Sequence, residues 1–383
     1  MFVKRKIESA VKLLINKFPV VSLTGPRQSG KTTFLRRTFP DYNYLSLENL
    51  DNYDFATKDP KGFLNTYSSR IIIDEAQRVP SLFSYLQQVV DETNEPGQYI
   101  LSGSQNFLLH KRITQSLAGR VAIFKLFPFD QKELDSEGLL PENWMELAWK
   151  GAYPRIYQAG IPPESFYPNY IETYLERDIQ ELVKIEEMGA FRQFLRLCAG
   201  RAGQILNLSA LGRASGISHA TARNWISLLE SSFIVLRLSP YFKNYNKRLV
   251  KSPKLYFWDT GLLLNLLGVK EQGELILHPN KGNIFENLII SESYKRRHHI
   301  GERPNFYFWR DSNNNEIDLL EEIGQDIKIA EIKASETLNM SYFKGLEKFP
   351  KEAPVSRKLL IYAGEEEQKR TIADVQGWRS FEW

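Results

Sequence analysis

Gly25-Pro26-Arg27-Gln28-Ser29-Gly30-Lys31-Thr32 fits G-x-x-x-x-G-K-[ST] at every fixed position. No other feature constrains the fold as tightly. Such a loop works between a buried strand and the first turn of a helix. Val20-Val21-Ser22-Leu23-Thr24 supplies the strand, and Thr33-Phe34-Leu35-Arg36-Arg37 can continue as the helix. Glycines let the backbone turn and bring its N–H groups onto phosphate oxygens. The helix start adds the positive end of its dipole. In that setting Lys31 reaches the β- and γ-phosphates of a nucleoside triphosphate, and the Thr32 hydroxyl binds Mg²⁺. Gly25, Pro26, Arg27, Gln28, Ser29, Gly30, Lys31, Thr32 and Thr33 are therefore the candidate triphosphate cradle, with ATP and Mg²⁺ as expected cofactors. A Gly-rich turn with a chance lysine is the alternative, and the strand–helix setting opposes it.

Arg70-Ile71-Ile72-Ile73 and Gln98-Tyr99-Ile100-Leu101 are further apolar runs bounded by polar or turn residues, with helical periodicity between them. The pattern predicts buried parallel strands in an α/β layer fold. The first of these runs on into Asp74-Glu75. Adjacent carboxylates at the end of a buried strand point to a site. Asp74 is the expected Mg²⁺ partner through water, and Glu75 would orient or deprotonate the attacking water. A solvated strand end is the competing reading. The other run ends in Leu101-Ser102-Gly103-Ser104-Gln105-Asn106. Strand C-termini line the ligand crevice of a parallel sheet, so Ser104 or Gln105 is a candidate for sensing the γ-phosphate or positioning water. A plain polar loop accounts for them equally well. Arg120 is a candidate arginine finger acting on a neighbouring subunit, which would require a homo-oligomer; an isolated arginine is otherwise a surface charge.

The combination GPRQSGKTTFL, IIIDEAQRVPSLF, YILSGSQ and SLAGRV resembles AAA+ ATPases of the family-14 AAA domain type, found in bacteria and archaea. YIETYLERDI, SPKLYFWDTGL and IFENLII are similar to that family's C-terminal region, long labelled a domain of unknown function. The resemblance spans almost the whole chain. It implies an ATP-hydrolysing AAA+ domain, while the C-terminal motifs leave the biochemical task open. Ser29 departs from the pattern, since the family often has an apolar residue before the second loop glycine. That position contributes mainly backbone.

A chain of 383 residues predicts two to four domains at roughly 100–200 residues each. Its 42% hydrophobic and 25% charged residues exclude a wholly disordered or collagen-like chain. No apolar run approaches the roughly 18 residues of a membrane span. Lys4, Arg5, Lys6, Glu8, Lys12 and Lys17 interrupt the N-terminal segment, unlike a secretion signal. Cys198 is the only cysteine, so no intrachain disulfide can form, and a reducing, cytoplasmic location is expected. One cysteine and five scattered histidines do not suit a structural zinc site. The expected organisation is a P-loop AAA+ ATPase domain over 1–130, a helical linker or lid over 131–200, a winged-helix-like domain over 201–270 and a restriction-endonuclease-like α/β domain over 271–383.

The net charge of +4 is mild, but it is unevenly spread. From Arg201 to Lys254 the basic residues are Arg201, Arg213, Arg223, Arg237, Lys243, Lys247, Arg248, Lys251 and Lys254, and the only acid is Glu230. Such an excess points to an anionic partner. The same stretch reads as a helix-turn-helix followed by strands. Leu208, Leu211 and Ala214 face inward, Gly216 permits a tight turn, and Ser218 caps a helix from His219 to Glu230. Trp225, Leu228 and Leu229 form its apolar side, with His219, Arg223, Asn224 and Ser227 on another face. Phe233–Leu236 and Lys254–Phe257 read as wing strands, and Lys243, Lys247, Arg248 and Lys251 as the wing loop. The unit predicts DNA contact through backbone or shape. A docking lid against the ATPase domain is the alternative.

Glu316–Ile323 and Asp326–Lys333 flank Gly324-Gln325, which suits a two-residue type II′ hairpin. Centring the turn there pairs Asp318 with Glu331, Glu316 with Lys333 and Ile317 with Ile332. Opposed carboxylates repel unless a cation or proton lies between them, and a divalent metal held by Asp318 and Glu331 would resolve the conflict. Lys333 projects on the Glu331 face, where it could stabilise developing phosphate charge. Asp318 followed by Glu331-Ile332-Lys333 resembles the D…(E)xK arrangement of restriction-endonuclease-like nucleases, and Glu286 matches the helical acid that often precedes it. The bland alternative is a hairpin of solvated charges in which Lys333 neutralises Glu316. Lys295-Arg296-Arg297-His298-His299 and Arg310 would favour nucleic-acid approach, or form a solvated basic helix end.

The expected function is an ATP-binding, ATP-hydrolysing AAA+ protein that engages DNA, with metal-dependent phosphodiester cleavage by Glu286, Asp318, Glu331 and Lys333 as a second activity. Its main rival is a nucleotide-gated regulatory module whose inert nuclease-like domain binds protein or nucleic acid. A sequence-specific transcription regulator reading bases through His219 to Ser227 is the third.

Overall fold

The computed structural model describes residues 2–104, 113, 115–175, 188–242 and 252–383. Near the N-terminus, β1 (Val20–Thr24), β2 (Asn43–Ser46), β3 (Ile71–Asp74), β4 (Tyr99–Gly103) and β5 (Val121–Lys125) form an all-parallel sheet in the order β2-β3-β4-β1-β5. Every residue of β1, β3 and β4 is buried, because helices cover both faces. Alternation along β3 assigns the faces. Ile71 and Ile73 pack with Phe63, Leu82 and Leu86, whereas Ile72 packs with Val11, Phe34 and Leu35 on the other side. Insertion of β4 between β1 and β3 leaves the loop after β1 and the acids after β3 open at the same carboxyl edge.

Within the stretch expected as a helical linker or lid, the sequence sets separate helices at Trp144–Lys150, Pro154–Gln158 and Pro163–Tyr170, with a further helix at Met188–Ala199. Gly151 ends the first at φ 65°, and prolines open the next two. The helix-turn-helix forms as Leu208–Ser215 and His219–Ser231, joined through Gly216 at φ 70°. Ser218 Oγ accepts the Thr221 amide at 3.0 Å, the expected cap. Ala222, Trp225, Ile226 and Leu229 are buried, while His219, Arg223, Asn224 and Ser227 are exposed.

The second sheet contains β6 (Val235–Pro240), β7 (Lys254–Phe257), β8 (Phe306–Arg310), β9 (Glu316–Ile323), β10 (Asp326–Lys333), β11 (Val355–Tyr362), β12 (Gln368–Lys369) and β13 (Asp374–Gly377), in the order β12-β13-β11-β10-β9-β8-β6-β7. β8, β9 and β10 run antiparallel, and β10, β11 and β13 run parallel. The Lys281–His299 helix covers one face with Ile284, Phe285, Leu288 and Ile289 against Leu319, Ala330 and Ile361; Phe343 and Leu346 cover the other against Leu320 and Ile329.

β6 and β7 pair antiparallel, but β6 starts two residues later than the sequence predicts and also pairs with β8. The hairpin read as a wing is thus an edge of the C-terminal sheet. That sheet draws strands from both sides of 270/271, and one core joins Phe127, Leu229, Trp258, Ile289 and Ile361. No helix among the described residues is long and apolar enough to cross a membrane.

Candidate nucleotide site and C-terminal acidic cluster

The phosphate loop leaves β1 and enters the Lys31–Thr38 helix. A Cβ on Gly25 would lie 2.1 Å from the Leu126 carbonyl oxygen, so only glycine permits this approach. Gly30 precedes the helix at φ 92°. Lys31 is buried, and its Nζ donates to the carbonyls of Gly25 and Pro26 at 2.9 Å each. Arg27 lies 3.9 Å from Glu48. Gln28 Oε1 and Ser29 Oγ are buried without a hydrogen-bond partner among the described residues. Unpaired polar atoms at the loop suit a polar ligand.

Asp74 Oδ2 accepts the Thr32 hydroxyl at 2.9 Å and the Tyr44 hydroxyl at 2.5 Å, while Oδ1 accepts Ser102 at 2.6 Å. A threonine hydroxyl beside a carboxylate at a phosphate loop is a donor set that fits Mg²⁺. Burial and the Asp74 charge hold the Tyr44 hydroxyl well above its ordinary range, so it remains a proton donor. Glu75 takes a left-handed φ of 54°. Its Oε2 accepts from Gln77 and lies 3.4 Å from Ser104 Oγ. The structure therefore gathers Lys31, Thr32, Asp74, Glu75 and Ser104 at one edge. Gln105 lies outside the described residues. Arg120 does not join them: it immediately precedes β5, at the amino edge of the sheet, and pairs with Asp91. Within its own chain it cannot serve the loop. Tyr44 and Ser102 were missed, since nothing in the sequence links a lone hydroxyl to a distant carboxylate.

In the C-terminal sheet, the β9–β10 ladder pairs Ile323 with Asp326 and continues to Leu319 with Ala330, the register expected from Gly324-Gln325. Gly324 adopts φ 61°. Asp318 and Glu331 follow the last of these pairs. Asp318 Oδ2 accepts the Ile332 amide at 2.8 Å. Lys333 Nζ donates to Glu331 at 2.9 Å and lies 3.6 Å from Asp318. The expected Lys333–Glu316 pair is replaced. Glu316 instead meets Lys254 at 2.5 Å and Arg310 at 3.7 Å.

Lys254 is the residue that sequence reasoning misplaced. It is buried rather than part of a basic surface, 2.9 Å from Glu286 and 3.9 Å from Asp318. Tyr256 also donates to Glu286, at 2.5 Å. Four carboxylates, Glu286, Glu316, Asp318 and Glu331, thus surround two ammonium groups. Burial, reinforced by Asp318, pushes Glu331 up to about 8. Its Oε2 is a buried acceptor without a partner among the described residues. Burial opposes charge on Lys254, yet Glu286, Asp318 and Glu316 hold its pKa above the ordinary value.

Other charges expected at a nucleic-acid surface are also used internally. Arg237 pairs with Glu230. Lys295 and His299 are buried, Arg296 pairs with Glu292 at 2.9 Å, and Arg297 pairs with Glu321 at 2.7 Å. The basic helix end is a fastening between distant parts of the chain. Lys243, Lys247, Arg248 and Lys251 lie outside the described residues. At this seam the Arg5 guanidinium donates to the carbonyls of Ser29 at 3.0 Å and Phe127 at 2.6 Å, and to Glu133 at 3.0 Å. His299 Nδ1 lies 2.8 Å from Asp130 Oδ2. A buried polar network therefore runs from the phosphate loop to the C-terminal helix.

The family model described as an AAA domain matches residues 17–135. Two domains of unknown function, DUF8612 and DUF4143, match residues 141–273 and 281–379. Over 371 residues the chain is 30% identical to uncharacterized protein Rv2008c of Mycobacterium tuberculosis and, equally, to uncharacterized protein Mb2031c of Mycobacterium bovis. Each alignment spans 95% of this chain and 81% of the relative. Among solved structures, the Walker-type ATPase PABY2304 of Pyrococcus abyssi is similar with a TM-score of 0.45 and 14% identity, over 70% of this chain and 96% of that one.

Proposed function

This chain belongs to the family of those two mycobacterial proteins and carries an AAA domain, and we propose that it hydrolyses ATP and uses the cycle to control how its C-terminal half engages DNA. One observation carries the ATPase reading: Lys31, Thr32, Asp74, Glu75 and Ser104 converge at the carboxyl edge of a parallel sheet. The loop amides and Lys31 bind the triphosphate, the lysine leaving the Gly25 and Pro26 carbonyls to do so. Thr32 and Asp74 would hold Mg²⁺, which when bound neutralises charge on the β- and γ-phosphates. Glu75 orients the attacking water and accepts its proton, while Gln77 and Ser104 fix the carboxylate. Arg5 is suited to pass loop movement to His299, because it contacts both the Ser29 carbonyl and that helix end. If Arg120 acts as an arginine finger, it does so on a neighbouring copy.

DNA engagement falls, on this reading, to the exposed His219, Arg223, Asn224 and Ser227 on the second helix of the helix-turn-helix, with the β6–β7 hairpin serving the C-terminal sheet. For the C-terminal half, the strand sequence and the Asp318–Glu331–Lys333 group support a nuclease-like domain. Glu331 Oε2 is an acceptor that a divalent cation would satisfy. A second reading is favoured by Lys254, whose ammonium already sits among Glu286, Glu316 and Asp318. On that reading the domain is inert and binds a partner under nucleotide control.

The test is ATP turnover with and without single- and double-stranded DNA, beside size measurement in ATP. Loss of turnover in Lys31→Ala and stimulation by DNA are expected. Normal turnover in that variant would refute the ATPase site. Mg²⁺- or Mn²⁺-dependent nicking abolished by Asp318→Ala would establish the nuclease reading; no cutting with either metal leaves the inert domain.

A further inference from the structure

A cleft of about 680 Å³ lies where β5, the end of the His219–Ser231 helix and the turn after the Lys281–His299 helix meet. None of its lining residues belongs to the phosphate loop or the C-terminal acidic cluster. Its size is that of a small-ligand site. Its two carboxylates are already matched, Glu230 by Arg237 and Glu302 by Arg297. Lys125 and Arg303 remain, and among the described residues neither has a carboxylate within ion-pair distance. Lys125 is half-buried and Arg303 exposed at the rim; burial lowers the Lys125 pKa and the Arg303 charge lowers it further, with Glu230 opposing. Both cations, with burial as the larger cause, also hold His298 down at about 3. Two cationic side chains lining one cleft beside an imidazole suit an oxyanion.

The wall beside them is aromatic. Trp258 is stacked on Phe127 with centroids 3.8 Å apart, and Tyr294 meets Trp258 edge-on. Phe233 also lines the cleft, 6.0 Å from Lys125 Nζ, and holds φ at 58°. That left-handed turn ends the His219–Ser231 helix, the Phe233 amide donating to the Glu230 carbonyl at 3.1 Å and the Ile234 amide to that of Leu229 at 2.9 Å, and it sets the ring at the mouth of the cleft.

We propose that this cleft is a second nucleotide-class site, taking a small phosphorylated aromatic ligand with its phosphate between Lys125 and Arg303 and its ring against Trp258 and Phe233. The site is separate from the ATP-binding loop and does not depend on hydrolysis.

Lys31→Ala full-length protein, with the first site silenced, is titrated calorimetrically with AMP, with inorganic phosphate and with a 5′-phosphorylated single-stranded oligonucleotide. One AMP per chain should bind, more tightly than inorganic phosphate. Adding Lys125→Met or Arg303→Met should weaken AMP by at least about tenfold, and Arg303→Lys by less. AMP should also raise the unfolding temperature of the Lys31→Ala protein and not that of the Lys125→Met double variant, a readout that separates site loss from misfolding. Absence of AMP binding, binding indifferent to Lys125 and Arg303, or capture of the oligonucleotide alone would each overturn the proposal.

Discussion

The Thr32 hydroxyl donates a 2.9 Å hydrogen bond to Asp74, across 42 residues of chain. It ties the start of the helix after the phosphate loop to the end of β3. The same carboxylate accepts Tyr44 and Ser102, so one side chain satisfies three hydroxyls from separate elements. Asp74→Ala would strand all three. We expect it to lower stability by roughly 1–3 kcal/mol, measured by urea unfolding, because buried donors left unpaired keep their desolvation cost. Asp74→Asn, which retains one acceptor oxygen, should cost less. An unchanged midpoint in the alanine variant would show that the network contributes nothing to stability.

Glu75 stands at the end of β3 with its carboxylate turned to Gln77 and Ser104 rather than to Asp74. Glu75→Gln preserves shape and hydrogen-bond reach but removes the base. ATP affinity should stay within about twofold while turnover falls by about 10²–10⁴, the range for losing a general base. Nucleotide binding and single-turnover hydrolysis on one preparation would check it. Equal losses of binding and turnover would instead assign Glu75 to holding the nucleotide.

Local signals were legible in the sequence. The phosphate loop, Asp74-Glu75 and the Gly324-Gln325 turn each lie within a few residues, and period-2 patterning then fixes the Leu319–Ala330 register. What stayed hidden depends on distant pairing. Lys254 reads as one more member of a basic run until folding sets it beside Glu286 and Glu316. His299 and Arg296 read as a solvated helix end, yet their acceptors are Asp130 and Gln131, more than 160 residues earlier. Net charge along a segment does not say which charges face water. The β6–β8 pairing, which joins the wing-like hairpin to the C-terminal sheet, likewise has no local signature.

Lys254→Met would leave Glu286, Glu316 and Asp318 buried or half-buried without their central cation. Removing one partner of a buried ion pair costs about 3–5 kcal/mol, so a marked fall in urea midpoint is expected. Glu286→Gln added to Lys254→Met should recover part of that loss by removing one stranded charge. Millimolar Mn²⁺ or Mg²⁺ should stabilise the Lys254→Met protein more than the unmodified one, since the vacated position is ringed by carboxylates. No difference in the metal response would show that the cluster does not accept a cation there.

His298 gives a pH dependence that can be assigned to one ring. Burial, then the charges of Lys125, His299 and Arg303, lower its pKa from 6.5 to about 3 in the folded chain. Between those two values the unfolded chain binds a proton that the folded chain does not. Stability therefore falls as pH falls through that window, by up to about 1.4 kcal/mol per pH unit. The full contribution is present above pH 6.5. His298→Phe keeps an aromatic ring against Phe127 and Trp258, which lie 5.2 and 6.1 Å from the imidazole, and has no proton to gain. Thermal unfolding from pH 7.5 down to 4.5 should show a shallower decline in the variant than in the unmodified chain. The difference between the two curves isolates His298 from the carboxylates, which titrate in both. Parallel curves would mean that the ring is solvated and titrates alike in both states.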